Sequence, residues 1–165
     1  MGLNLSSIES HFLSEYGFGT IAPEHVKSFY SRAGDGTIDI MEPPKKRILI
    51  VEDFEDSRFS LSKLLQIEGY EVIEATNGAQ AVDLAEAVRP DLILMDLSLP
   101  VVDGLSATRS IRENPSLTEV PVIALSGHDL AEVQRDAQRA GCTDYLMKPI
   151  DFDALRSMIS KYLGS

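Results

Sequence analysis

The stretch Asp91-Leu92-Ile93-Leu94-Met95-Asp96 constrains the fold more than any other part of this chain. A continuous apolar run of this length reads as a strand buried on both faces, the pattern of a parallel sheet. It stops at a carboxylate and passes into Leu97-Ser98-Leu99-Pro100-Val101-Val102-Asp103-Gly104, which reads as a loop. An Asp at such a place also ends strands for ordinary turn reasons. Two further endings argue for more: Ile48-Leu49-Ile50-Val51 runs into Glu52-Asp53, and Tyr145-Leu146-Met147 runs into Lys148-Pro149. In an open α/β sheet, ligands and reactive groups gather beyond the carboxyl ends of the strands. Three strands of one sheet then deliver three carboxylates and one ammonium to the same edge.

The chain around these runs alternates regularly. Strands are expected at 47–52, 70–75, 91–96, 121–125 and 144–147. Helices are expected at about 56–68, 79–88, 105–112, 129–140 and 151–163, each stopped by glycine or by a following proline. The first carries Leu61, Leu64 and Leu65 on one face, and the last turns Phe152, Leu155, Ile159 and Tyr162 toward the sheet. The fourth has the thin face Leu130, Val133, Ala137 and Ala140, which buries little and marks it as the most mobile. Five βα units imply a doubly wound α/β fold, a parallel sheet with helices on both faces.

Residues 1–46 read differently. Ile8, Phe12 and Tyr16 recur at helical spacing, as do Val26, Phe29 and Tyr30, so two short helices are expected, followed by a linker through Gly34-Asp35-Gly36 and Glu42-Pro43-Pro44. Helices of about ten residues are not stable alone in water. Their apolar faces therefore need a partner surface: each other, the main domain or another chain, with docking across a homodimer preferred to docking on the chain's own main domain. The division is an extension at 1–45 and a main domain at 46–165.

Charge and composition narrow the function. The 165 residues carry a formal charge of −11, which argues against direct binding to nucleic acid or an anionic membrane. No apolar run reaches the roughly 20 residues of a membrane span. The single cysteine, Cys142, excludes an internal disulfide framework and suits a reducing cytosol; it is expected to be inert in the turn before the fifth strand.

Taken in order and with their spacing, Glu52-Asp53, Asp96 with Pro100 and Asp103-Gly104, Ser126-Gly127 and Lys148-Pro149 resemble the receiver domain of two-component response regulators. Asp96 precedes Ser126 by 30 residues and Lys148 by 52, which fits that family. The resemblance covers residues 46 to 163 and implies a flavodoxin-like five-stranded sheet of order 2-1-3-4-5. It also implies roles. Asp96 is the phosphoacceptor, a carboxylate nucleophile that becomes an acyl phosphate. Glu52, Asp53 and Asp96, with the backbone carbonyl of Ser98, hold Mg²⁺, a hard cation suited to oxygen ligands. Lys148 sets its ammonium against the phosphoryl oxygens, and in the family a cis peptide bond precedes Pro149. Ser126 is the switch hydroxyl and Tyr145 the switch aromatic. Ser98 and His128 hold positions that adjust rates in the family.

The expected function is a phosphorylation-controlled signalling switch, not an enzyme acting on external substrates. It takes its phosphoryl group from a histidine kinase or histidine phosphotransfer protein and passes the signal to a downstream protein. A receiver-shaped scaffold without phosphorylation is disfavoured because the acids, Ser126 and Lys148 are all present. An aspartate-nucleophile phosphatase is disfavoured because Ser98 stands where such enzymes carry a second Asp. His11 and His25 do not make a phosphotransfer module, since 46 residues cannot build a four-helix bundle. Only Gly164-Ser165 follow the last helix, so output is expected through protein contact.

Overall fold

The computed structural model describes residues 30–32, 38–40, 44–127 and 131–164. The chain divides into two units, residues 1–44 and 45–165. In the first, strands β1 (Tyr30–Arg32) and β2 (Ile38–Ile40) form an antiparallel pair. This corrects two expectations. Tyr30 lies on a strand, not a helix, and the stretch after Gly34-Asp35-Gly36 returns as a strand instead of running on as linker. Spacing at i, i+3 and i+4 over so few residues does not separate the two states, and cross-strand pairing decided it. The helix expected around Ile8, Phe12 and Tyr16 lies outside the described residues.

The second unit is the doubly wound fold. Strands β3 (Arg47–Val51), β4 (Glu71–Ala75), β5 (Leu92–Asp96), β6 (Val122–Ser126) and β7 (Asp144–Met147) form one parallel sheet in the order β4-β3-β5-β6-β7. This is the expected 2-1-3-4-5 arrangement. Between them run α1 (Glu55–Ile67), α2 (Gly78–Val88), α3 (Gly104–Glu113) and α4 (Ala131–Ala140), and α5 (Phe152–Leu163) follows β7.

Side-chain alternation along the strands sorts the core into two layers. Ile48, Ile50, Leu92, Leu94 and Leu146 pack with Leu61 and Leu65 of α1 and with Leu155 and Ile159 of α5. Leu49, Val51, Ile93 and Met95 pack on the other face with Ala81 and Ala85 of α2 and with Ala107 and Ile111 of α3. Each large side chain so buried is worth about 1.5–3 kcal/mol. The small alanines of α2 and α3 let those helices lie close to the sheet. As expected, α4 is thinly seated: its buried residues are Ala137 and Ala140.

Phe152 departs from the expected inward face, being 42% exposed. Leu155 and Ile159 do reach the core, but Phe152 stands on the first turn of α5 and lines an open hollow with Ser57, Leu61, Pro149 and Ile150. Helical spacing puts Phe152 on the stripe of Leu155 and Ile159, yet as the first residue of the helix it stays partly open to solvent while Leu155 is fully buried.

Two backbone features shape the loop after β5. A Cβ on Gly104 would lie 2.1 Å from the Asp96 carbonyl oxygen, so only glycine lets α3 start against the strand end. Val101 has φ +67° at the centre of a γ-turn closed by the Val102 N–H on the Pro100 carbonyl at 2.8 Å. A β-branched residue there is strained. Because its side chain is 86% exposed, little packing is at stake. Val101→Asn should therefore raise stability by about 1 kcal/mol, since Asn tolerates positive φ. A urea midpoint equal to or below that of the wild type would refute the strain.

Candidate functional site

The alternation that builds the core also aims the site. Glu52 follows Ile48 and Ile50, Asp96 follows Leu92 and Leu94, and Lys148 follows Leu146, all on the α1/α5 parity. All three therefore emerge on one side of the sheet at its carboxyl edge. The Lys148 ammonium lies 2.7 Å from Asp96 Oδ2 and 2.6 Å from Glu52 Oε2, bridging strand ends far apart in sequence. The peptide bond between Lys148 and Pro149 is cis.

The carboxylates differ in setting. Glu52 is 1% exposed and Asp96 4%, whereas Asp53 faces solvent. One oxygen from each of the three lies within 4.8 Å of the others. Asp96 Oδ1 accepts from the Ser98 N–H at 2.8 Å, which fixes the carboxylate against the start of its loop. Burial works against the Lys148 charge, but hydrogen bonds to Asp96 and Glu52 and their negative charges outweigh it, so its pKa stands above the ordinary lysine value. Three carboxylates facing one ammonium leave the cleft net negative, a setting that favours a further cation.

Of the other residues singled out by sequence, Ser126 ends β6 and Tyr145 lies on β7, while Cys142 precedes the start of β7. Ser126 is buried at the end of β6, on the opposite parity, and its carbonyl accepts the Lys148 N–H at 2.7 Å. In the ladder Asp96 pairs with Leu125, and Ser126 with Met147. Tyr145 is half-buried on β7 and lines a hollow of about 200 Å³ with Gln134, Ala137 and Cys142. The Cys142 thiol is pushed up by burial, against the opposing effects of Thr108 and Arg112, so it is poorly suited to react. His11, His25 and His128 lie outside the described residues.

Sequence reasoning missed three residues here. Arg58 Nη1 donates to the backbone carbonyls of Glu52 and Asp53 at 3.0 and 3.3 Å, and its Nε pairs with Glu74 of β4 at 3.1 Å. Ser57 Oγ donates to Glu52 Oε2 at 3.1 Å. The first turn of α1 thus holds the acidic pair from behind. A serine-arginine step at the second and third positions of an expected helix carried no signal of its own.

Comparison with known proteins agrees with this geometry. Residues 48–160 match the model of the response regulator receiver domain. The polar-differentiation response regulator DivK of Brucella anthropi is 39% identical over 119 residues, which span 72% of this chain and 97% of DivK. Among solved structures, the receiver domain of a sensor histidine kinase from Pseudomonas aeruginosa, with a magnesium ion coordinated in its active-site cleft, is 39% identical with a TM-score of 0.69; the match covers 74% of this chain and all of that one. The receiver domain of Ssk1 from Saccharomyces cerevisiae, crystallised with the histidine phosphotransfer protein Ypd1, is 32% identical with a TM-score of 0.67, over 72% of this chain and 89% of that one. Among the described residues no helix is long and apolar enough to cross a membrane. With a family model covering most of the chain, a sheet of matching order and the acids and lysine gathered at its edge, this protein belongs to the response regulator receiver family, the phosphorylation-controlled switches of two-component signalling.

Proposed function

We propose that Asp96 is the phosphoacceptor, with Lys148, Ser126 and a Mg²⁺ ion as its helpers and Tyr145 as the switch aromatic. The observation that carries the reading is the Lys148 ammonium shared between Asp96 and Glu52, with the Asp53 carboxylate beside them. The donor set fits Mg²⁺: three hard carboxylate oxygens within 4.8 Å, one residue open to solvent and, among the described residues, no nitrogen or sulfur ligand in the group. Glu52, Asp53, Asp96 and the Ser98 carbonyl would hold the ion, which when bound offsets negative charge on the transferring phosphoryl group.

The chain's own residues do the rest. An Asp96 oxygen attacks phosphorus of a phosphohistidine, the O–P bond forms, and the P–N bond breaks with its electron pair left on the imidazole nitrogen, which takes a proton from water. The donor is a histidine kinase or histidine phosphotransfer protein. Lys148 turns its ammonium to the phosphoryl oxygens, and Ser126 donates its hydroxyl to one of them. That draws the end of β6 toward Asp96, and Tyr145 with the thinly seated α4 presents the change to a downstream protein. The only turnover in this reading is loss of the chain's own phosphoryl group. A homodimer contact through residues 1–45 rests on the apolar side chains of that segment alone.

Acetyl phosphate with Mg²⁺ should add one phosphoryl mass to the full chain, mapped by peptide mass spectrometry to the segment holding Asp96. Asp53→Ala should weaken Mg²⁺ binding about tenfold or more and slow labelling in step, because it removes the solvent-facing ligand. Unchanged Mg²⁺ titration and labelling rate in that variant would contradict the assigned cation site.

A further inference from the structure

Glu52 is the ligand that most needs to be held. Glutamate has one more rotatable bond than aspartate, so its carboxylate does not stay aimed without an anchor. Both of its oxygens are engaged: Oε1 accepts the Phe54 N–H at 3.3 Å, and Oε2 accepts Ser57 Oγ at 3.1 Å and Lys148 Nζ at 2.6 Å. The Lys148 bond is not permanent in the proposed mechanism, because the same ammonium must also serve a phosphoryl group on Asp96. Once it is drawn off, Oε2 keeps Ser57.

Helical serines of this chain use their hydroxyls in two ways. Ser106, in the first turn of α3, donates to the carboxylate of Asp103, which starts its own helix. Ser60 and Ser157 each donate to the carbonyl four residues back, Asp56 and Asp153. The carbonyl four residues before Ser57 belongs to Asp53 and is taken by Arg58 Nη1, which is itself anchored on Glu74. Ser57 instead turns its hydroxyl to the buried carboxylate.

We infer that Ser57 is a positioning residue that holds the Glu52 carboxylate in the orientation in which it offers an oxygen to a divalent cation together with Asp53 and Asp96. This rests on the reading of Glu52 as a cation ligand. It adds that the first turn of α1 sets how strongly the ion is bound, as outer partners of metal ligands commonly do.

The test is Mg²⁺ titration of the full chain by amide NMR shifts, for the wild type, Ser57→Ala, Ser57→Thr, Glu52→Asp and the Glu52→Asp/Ser57→Ala double variant. Ser57→Ala is expected to weaken binding about tenfold, the low end for removal of a ligand's outer partner. Ser57→Thr keeps the hydroxyl and should stay within about twofold of the wild type. With Glu52→Asp the shorter side chain no longer reaches Ser57, so removing the hydroxyl there should cost less than about twofold. An equal Mg²⁺ affinity for Ser57→Ala and wild type overturns the inference, as does the same loss in both backgrounds, which would mark a purely helical role. No Mg²⁺ binding by the wild type would instead overturn the cation site itself.

Discussion

An Asp96→Asn variant is expected to take up no phosphoryl group from acetyl phosphate in Mg²⁺, while remaining folded. An amide oxygen lacks the charge and basicity to attack phosphorus, so the loss is complete and not graded. The fold should survive because asparagine keeps an oxygen that can accept the Ser98 N–H in place of Asp96 Oδ1, while the Lys148 ammonium, which loses Oδ2, keeps its bond to Glu52. Removing one of three carboxylates that face a single ammonium also relieves like-charge repulsion in a cleft where Glu52 and Asp96 are nearly inaccessible to water. Stability without Mg²⁺ should thus be unchanged or slightly higher. Intact-mass measurement of both proteins after the same exposure decides the matter: equal labelling of the variant would remove Asp96 from the mechanism.

The second large effect concerns Lys148. Lys148→Met keeps most of the stem but leaves Asp96 and Glu52 buried without their shared counter-charge. Breaking a buried ion pair costs about 3–5 kcal/mol, and the partial exposure of this side chain brings the expectation to about 2–3 kcal/mol. Mg²⁺ should return more stability to the variant than to the wild type, because the ion no longer competes with an ammonium for the same oxygens. At tenfold excess over its dissociation constant the ion restores about 1.4 kcal/mol. The pH dependence has a definite sign. A lysine whose folded pKa is raised contributes stability fully below its unfolded value of 10.5 and loses it as pH rises through the folded value. The wild type should therefore lose this contribution only above about pH 10.5, and the Lys148→Met variant should lack that alkaline step. Urea titrations with and without Mg²⁺ measure all of this. Matching midpoints for the two proteins in Mg²⁺-free buffer would show that the bridge carries no weight.

The five βα units were legible because their signal is local. A run such as Leu92 to Met95 is buried on both faces only in a covered parallel sheet, and a strand's two-residue period fixes which side its terminal residue faces. That is why Glu52, Asp96 and Lys148 could be placed at one edge from sequence alone.

The remainder depended on how elements sit against each other. Arg58 finds Glu74 only because β4 pairs in register beside β3, which brings two residues 16 apart in sequence within 3.1 Å. Ser57 reaches Glu52 because α1 starts directly above the strand end, and no spacing rule announces that. Phe152 carried the right helical phase, but only the placement of α5 leaves its first residue partly exposed beside an open hollow. Periodicity is a property of one segment and can be read from it. A hydrogen bond between segments depends on the distance and angle at which packing leaves them, and for Ser57, Arg58 and Glu74 the tertiary structure alone supplied those.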